Sequence, residues 1–360
     1  MNQKGKAAGK KASHPVSLVT GACGFIGTHM IEVLCEAGHT VRGTDLPESF
    51  RADDRARGRF PSVFKGLGVE FVPSDMTRPE TLPGALDGVD YVFHIAAVFS
   101  YTAPWETLRR VNVDGTRELC NLILERKRIR KLVAWGAGGV YGFPPAEFLP
   151  VREEDPKSPP NAYLRSKHEQ EQLVMAMGRT RGLRYSILRP TGVYGPRCVY
   201  GMGQVMLPAI RNPVVAVPRN FGTRVPLVHV RDVCEAALFL ALSEQADGEA
   251  YNLNDDSQMT VVEFMKTLAE LQGKRFLRLP PVPVRPLKTL LLGAAFLEGQ
   301  LARTVTRYAP KLEPDTIRFL GRDIAYSNRK LKDLGYRFRY PDAREGLRET
   351  IEWYRQAGWT

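Results

Sequence analysis

VSLVTGACGFIG, residues 16–27, joins an apolar β-rich run ending at Thr20, three glycines at Gly21, Gly24 and Gly27, and an apolar-periodic segment running from Phe25 to about Ala37. The pattern predicts a strand, a tight turn and a helix. Gly21 can take backbone angles closed to other residues, Gly24 lets a pyrophosphate approach the main chain, and Gly27 lets the helix pack close to the strand. The unpaired N–H groups at the helix start, around Phe25 and Ile26, would then face phosphates. A glycine triplet alone equally marks a structural turn. The next strand, TVRGTDL (40–46), carries Asp45 about 18 residues beyond Gly27, near the roughly 20 expected of an acid that binds a ribose. Together they predict dinucleotide binding.

A chain of 360 residues can hold a dinucleotide-binding core with a smaller appended part. A hydrophobic content of 43% beside 25% charged residues is that of an ordinary globular protein. Cys23, Cys35, Cys120, Cys198 and Cys234 are scattered, without a CxxC pair or His-Cys ligand spacing, which fits a reducing cytosol and predicts no metal. The net charge of +12 is dispersed and sits beside no RNA- or DNA-binding motif, so no nucleic-acid partner is expected. Residues 1–14 carry lysines without an apolar signal-peptide core and read as a flexible basic tail.

Along the chain, 47–68 is polar and partly helical, and its Arg51, Arg55, Arg57 and Arg59 read as a solvated basic surface. Asp45 would repel the 2′-phosphate of NADP, so NAD is the favoured cofactor. A third strand at 69–73 leads into Ser74, Asp75 and Met76, and a fourth at 90–95 into Ala96 and Ala97. Residues just past strand ends line the carboxyl edge of a parallel sheet, where such sheets bind cofactors. His94 reads as strand-end packing. A helix over about 105–127 contains Asn112, KLVAW (131–135) is the fifth strand, and a sixth at 184–188 leads into Pro190. Strands alternating with helices predict an α/β fold, a Rossmann-like doubly wound parallel sheet. It would occupy 15–195 with part of 225–255, leaving 196–360 mainly as a smaller C-terminal substrate-binding part. LPPVPVRP (279–286) reads as a rigid linker or loop, and 287–302 as a core or lid helix. Arg303, Arg307 and Lys311 beyond it would suit contact of that helix with anionic lipid instead.

NAYLRSKHEQEQ (161–172) places Tyr163 and Lys167 four residues apart on one face of a helix. A tyrosine titrates near 10, and an adjacent ammonium favours its phenolate. Such a pair can move a proton to or from a substrate oxygen while a nicotinamide carries the hydride.

The chain resembles the extended short-chain dehydrogenase/reductase family. The matching residues are TGACGFIG (20–27), Asp45, Asp75, HIAA (94–97), NVDGT (112–116), GVYG (139–142), YLRSK (163–167), LRPTGVYGP (188–196) and VHVRDV (228–233), in order over roughly 16–260. The resemblance implies that Tyr163 is the acid/base, that Lys167 holds the nicotinamide ribose and assists it, that Asn112 belongs to the proton-relay region and that Asp75 meets the adenine. It also implies substrate binding between the core and the C-terminal part, and a homodimer as the oligomeric prior. The family places a Ser or Thr three or four residues before the valine of VYG to orient the substrate oxygen; here Gly136 and Ala137 stand there. Gly138 and Gly139 replace the acids of the related sugar-nucleotide dehydratases, which argues against dehydration.

In nucleotide-sugar epimerases an Asn follows the sixth strand and an Arg lies four residues before the His or Tyr of a later motif. Here those places hold Arg189-Pro190-Thr191 and Val225, with Arg224 out of step by one. The chain is more similar to the branch of 3β-hydroxysteroid dehydrogenases, sterol 4-carboxylate dehydrogenases and dihydroflavonol-type reductases. The expected function is NAD-dependent oxidation or reduction of a secondary alcohol/ketone on a hydrophobic small molecule, in the cytoplasm or peripherally at a membrane. A nucleotide-sugar epimerase retaining NAD and a non-catalytic NAD-binding protein are the alternatives.

Overall fold

The computed structural model describes residues 14–304 and 314–359. The basic tail, apart from His14, lies outside them, as do Arg307 and Lys311. The strands are β1 (Val16–Thr20), β2 (Thr40–Thr44), β3 (Glu70–Phe71), β4 (Tyr91–His94), β5 (Lys131–Trp135), β6 (Tyr185–Pro190), β7 (Gly192–Tyr194), β8 (Val214–Pro218), β9 (Leu227–His229), β10 (Glu249–Leu253) and β11 (Arg275–Leu279). The helices are α1 (Phe25–Glu36), α2 (Trp105–Leu108), α3 (Gly115–Leu124), α4 (Ala162–Arg181), α5 (Met202–Arg211), α6 (Val230–Leu242), α7 (Val261–Glu270), α8 (Val284–Thr304), α9 (Pro314–Phe319), α10 (Arg329–Asp333) and α11 (Ala343–Gln356).

Seven strands form one sheet in the order β10-β6-β5-β4-β1-β2-β3, with every neighbour parallel. This is the expected Rossmann-like doubly wound sheet. Alternation along β1 sends Val19 into a core shared with α1 and α6, and Leu18 into one shared with α3 and α4. Both faces are therefore covered, which explains why the strands read as nearly continuous apolar runs. Strand order reverses between β1 and β4, the crevice at which open α/β sheets bind ligands. A third core, built from α5, β8, α7 and α11 around Met206, Val215, Phe264, Leu268, Leu347 and Tyr354, forms the C-terminal part. The pairs β7–β9 and β8–β11 lie outside the main sheet.

Three expectations change in detail. β3 is cut to two residues because it is an edge strand and Pro73 has no N–H to donate. The helix expected over 105–127 contains a π-helical turn, Arg109–Asp114, between α2 and α3. The run 279–286 is only partly a loop: β11 ends at Leu279 and α8 begins at Val284, with Pro286 in its first turn, where a missing N–H costs no helical bond.

Candidate active site

The phosphate cradle is built at the switch point. Gly21 has φ +67°, and a Cβ there would lie 3.0 Å from the backbone of Ala96 at the end of β4. A Cβ on Gly27 would lie 2.0 Å from the carbonyl oxygen of Gly21, so only glycine lets α1 start this close to the turn. Thr20 Oγ1 accepts the N–H groups of Ile95 and Ala96 at 3.1 and 3.0 Å, holding the ends of β1 and β4 together. His94 packs there as expected, bridging Thr20 and Thr116 at 2.9 and 2.8 Å, and burial pushes its pKa down to about 3.

Gly24 caps α1 without a side-chain bond, and no acid stands in the first turn. Asp45 Oδ2 accepts the Cys23 N–H at 3.0 Å, which brings its carboxylate beside the turn. The cradle fits a nicotinamide dinucleotide: the glycines would clear its path, the helix N–H groups would face its phosphates and Asp45 would stand near its ribose. Asp75 closes a local turn through Oδ1, accepting the N–H of Thr77 at 2.8 Å, and the carbonyl of the adjacent Met76 lies against Gly115.

Tyr163 lies in the first turn of α4, where Asn161 caps the helix by accepting the Leu164 N–H at 2.8 Å. The Tyr163 side chain is buried among Leu108, Leu164, Val98, Tyr101, Ala137 and Phe319. Its ring makes edge contacts with Phe99 and Tyr101, centroids 4.9 and 5.8 Å apart, and Phe99 in turn meets Tyr200 at 5.4 Å. Burial, then Tyr101 and Tyr200, push the Tyr163 phenol far above its usual range, which keeps it protonated.

Lys167 shares that face of α4, but its Nζ donates to Gln170 Oε1 at 2.5 Å. The phenol–ammonium coupling expected from the spacing is therefore not assembled in this arrangement. A buried ammonium needs partners, and Gln170 offers an acceptor within one turn. Asn112 lies in the π-helical turn. Its Oδ1 accepts the Val98 N–H at 2.8 Å, while Nδ2 donates to Val98 O at 3.2 Å and to Ser166 Oγ at 2.9 Å. Ser166 Oγ then donates to the Tyr163 carbonyl at 2.7 Å. Asn112 thus positions α4 and the 95–104 loop relative to each other.

Burial lowers the Lys167 pKa to about 8, with Glu171 opposing the shift. A lysine ordinarily titrates near 10.5, so between about pH 8 and that value the folded state binds fewer protons than the unfolded state, and folding gains stability as pH rises. Lys167→Met should consequently be more stable than wild type near pH 7, with the gap in thermal unfolding temperature narrowing by about pH 10. An unchanged gap would show that Lys167 is not held against its charge.

Sequence reasoning missed three further features. Phe99 and Tyr101 follow the carboxyl end of β4, a position that itself marks ligand-facing residues. Tyr200 reaches the start of α1, where its ring meets Phe25 at 6.1 Å and the Phe25 backbone N–H acts on its hydroxyl. Glu171 forms a buried ion pair with Arg189, both side chains 2% exposed, with Arg189 Nε and Nη2 each 2.9 Å from Glu171 Oε2. Glu171 Oε1 lies 2.1 Å from where a Cβ on Gly136 would sit.

Among the described residues no group of His, Cys, Asp and Glu is placed to hold a metal ion, and no helix is long and apolar enough to cross a membrane. The cysteines are all free.

Sterol demethylase protein B of Methylococcus capsulatus is 29% identical over 353 residues, covering 95% of this chain and 99% of that one. A 3β-hydroxysteroid-dehydrogenase/decarboxylase (isoform 2) of Arabidopsis thaliana is 26% identical over 360 residues, covering 93% of this chain but 61% of that longer protein. The crystal structure of a UDP-glucose 4-epimerase from Thermus thermophilus in complex with NAD superposes with a TM-score of 0.69 at 26% identity, over 95% of this chain and 99% of that one. The model of the NAD dependent epimerase/dehydratase family matches residues 17–253, from β1 to the end of β10. The chain belongs to that family, whose members are enzymes of the extended short-chain dehydrogenase/reductase type.

Proposed function

We propose that this protein is an NAD-dependent oxidoreductase acting on a secondary alcohol or ketone of a hydrophobic molecule, with 3β-hydroxysteroids and sterol 4-carboxylates as the substrate class. The observation that carries this reading is the wall around Tyr163, made of Phe99, Tyr101, Leu108, Ala137 and Phe319. Such a wall suits an apolar ring system and excludes water from the reacting oxygen. The arginines that could meet a nucleotide diphosphate are engaged elsewhere: Arg189 with Glu171, and Arg224 with Asp323 through Nη2–Oδ2 at 2.6 Å and Nε–Oδ1 at 3.0 Å.

Bound NAD would supply the acceptor for the hydride that leaves the carbinol carbon. Once ionised, Tyr163 Oη takes the hydroxyl proton as the alcohol becomes a ketone; protonated, as burial holds it, it gives that proton to the ketone oxygen in the reverse direction. Lys167 swung from Gln170 towards the phenol would offset the burial that opposes its ionisation. The test supplies the purified protein with NAD and a panel of 3β-hydroxysterols, sterol 4-carboxylates, and UDP- and GDP-sugars. NADH should accumulate with the sterols. Sugar conversion without net NADH would replace this reading with an epimerase, and cofactor binding without turnover of any of these would favour a non-catalytic protein.

NAD is the proposed cofactor in preference to NADP. Asp45 keeps a carboxylate beside the turn, Arg55 is stacked on Trp359 at 4.4 Å, and Arg57 is paired with Asp54. Asp45→Asn removes the charge with little change of shape. It should shift the ratio of kcat/KM for NAD over NADP towards NADP by about tenfold; an unchanged ratio would remove Asp45 from cofactor selection.

Peripheral contact with an anionic bilayer is proposed for the outer face of α8. Leu290, Phe296 and Leu297 are 70%, 64% and 69% exposed there, Arg285 opens the helix and the chain carries a net charge of +12. Phe319 of α9, which packs beside α8, belongs to the apolar cluster around Tyr163, so α8 lies one element away from the site. The protein should co-sediment with phosphatidylcholine vesicles containing phosphatidylglycerol, and Leu290→Glu with Leu297→Glu should abolish this. Self-association through the same face without vesicle binding would overturn the assignment.

A further inference from the structure

An ammonium in a protein interior stays charged only if something there accepts its protons. Lys167 is 2% exposed, and the carboxylate within electrostatic reach of it, Glu171, is already engaged: its Oε2 accepts from both Nε and Nη2 of Arg189 on β6. His94 of β4 feels the Lys167 charge, but it is bonded to Thr20 and Thr116 and stays neutral. Asn112 of the π-helical turn bonds to Ser166 and brings no charge, and Tyr163 stays protonated. Among the described residues the acceptor bonded to Lys167 Nζ is Gln170 Oε1, at 2.5 Å.

Gln170 is itself 1% exposed, and among the described residues its buried Nε2 has no acceptor. An unpaired buried donor destabilises a fold, so an apolar side chain of similar volume would suit this place better if packing were its whole role. What the amide adds is the carbonyl oxygen that meets Lys167. That oxygen is also uncharged. A carboxylate there would bind the ammonium as an ion pair and cancel the positive field that a phenolate at Tyr163 needs, whereas an amide carbonyl holds the ammonium and leaves its charge uncompensated.

We propose that Gln170 is a positioning residue of this site: its carbonyl oxygen keeps Lys167 an ammonium in the interior, one helical turn from Tyr163, until the lysine turns to the phenol. Gln170 acts on the chemistry through Lys167 alone. The two residues stand three apart on α4, so the bond closes along one helix face and needs no loop to form it. This inference rests on the oxidoreductase reading given above.

Urea unfolding followed by circular dichroism across neutral and alkaline pH reads the charge on Lys167 without any turnover. In wild type, stability should climb from about pH 8, where folded Lys167 starts to release a proton that the unfolded lysine keeps to about 10.5. A hydrogen bond to a charged group moves its pKa by about one unit or more. Gln170→Met, close in volume but without the oxygen, should therefore begin the climb about one unit lower, and Gln170→Glu about one unit higher. The shift from Gln170→Met should vanish in the Lys167→Met background, where a loss of packing would persist. Equal onsets in the three proteins, or a Gln170→Met shift that survives without Lys167, overturn the assignment. With NAD and pregnenolone, a 3β-hydroxysteroid, Gln170→Met should lose about tenfold in kcat at neutral pH with KM little changed, and a kcat within about twofold of wild type overturns the positioning role. A wild-type chain that binds NAD but leaves the steroid untouched overturns the oxidoreductase reading, and the unfolding onsets then decide the Gln170–Lys167 coupling separately.

Discussion

Tyr163→Phe is expected to lower turnover by about a hundredfold to ten-thousandfold, the share of a rate that one positioned acid/base contributes. NAD affinity and thermal stability should stay close to wild type. Both halves follow from the geometry. The ring is held by edge contacts with Phe99 and Tyr101 and by the apolar cluster it forms with Leu108 and Leu164, all of which phenylalanine preserves. Among the described residues no hydrogen bond engages the Tyr163 hydroxyl, so removing it leaves no orphaned partner. Steady-state NADH formation, differential scanning calorimetry and NAD titration on the same preparation separate the two. A variant that melts early would make Tyr163 a packing residue, and one that turns over normally would remove it from the chemistry.

Gly136→Ala should be strongly damaging although it adds a single methyl. The added carbon would lie 2.1 Å from Glu171 Oε1, 3.0 Å from its carboxyl carbon and 3.1 Å from the Leu188 carbonyl oxygen. A flexible glutamate would simply move aside, but Glu171 is clamped. Its partner Arg189 also donates to Tyr141 Oη at 2.7 Å and to the Glu153 carbonyl at 3.1 Å, and Tyr141 donates onward to Asn252 at 2.8 Å. Displacing the carboxylate leaves a guanidinium buried without its counter-ion, which costs about 3–5 kcal/mol. Urea unfolding should show that loss, whereas Gly222→Ala, where the new carbon meets nothing within 4 Å, should change stability by less than about 0.5 kcal/mol. Equal midpoints for the two variants would show that the ion pair can yield at little expense.

Much of the scaffold was legible because its signals are local. The glycine turn with the helix after it and β5 over Lys131–Trp135 lie where apolar period and turn chemistry put them. The Tyr163 and Lys167 positions followed from helical spacing in the same way. What spacing cannot convey is the choice a side chain makes among several reachable partners. Lys167 has Tyr163 on one side and Gln170 on the other, and the bond to Gln170 is a property of the packed helix. The Glu171–Arg189 pair is equally invisible from sequence, since α4 and β6 each carry an ordinary charge until the sheet brings them together. The aromatic wall was open to a better reading. Phe99, Ser100 and Tyr101 follow the end of the central strand β4, and residues there face the ligand crevice in any parallel sheet of this kind.

The brace made by Asn112 has a consequence for how such a pocket can diverge. It grips the main chain of Val98 at both N–H and carbonyl, and reaches α4 through Ser166, without using the side chains of Phe99 or Tyr101. The placement of the wall and the identity of its paint are thus held by different residues. Substitutions at 99 and 101 can redraw which molecules are welcomed while the distance from that loop to Tyr163 stays put. A lineage carrying this brace can therefore explore new substrates by drift on one short loop, without first having to survive a misaligned reaction centre.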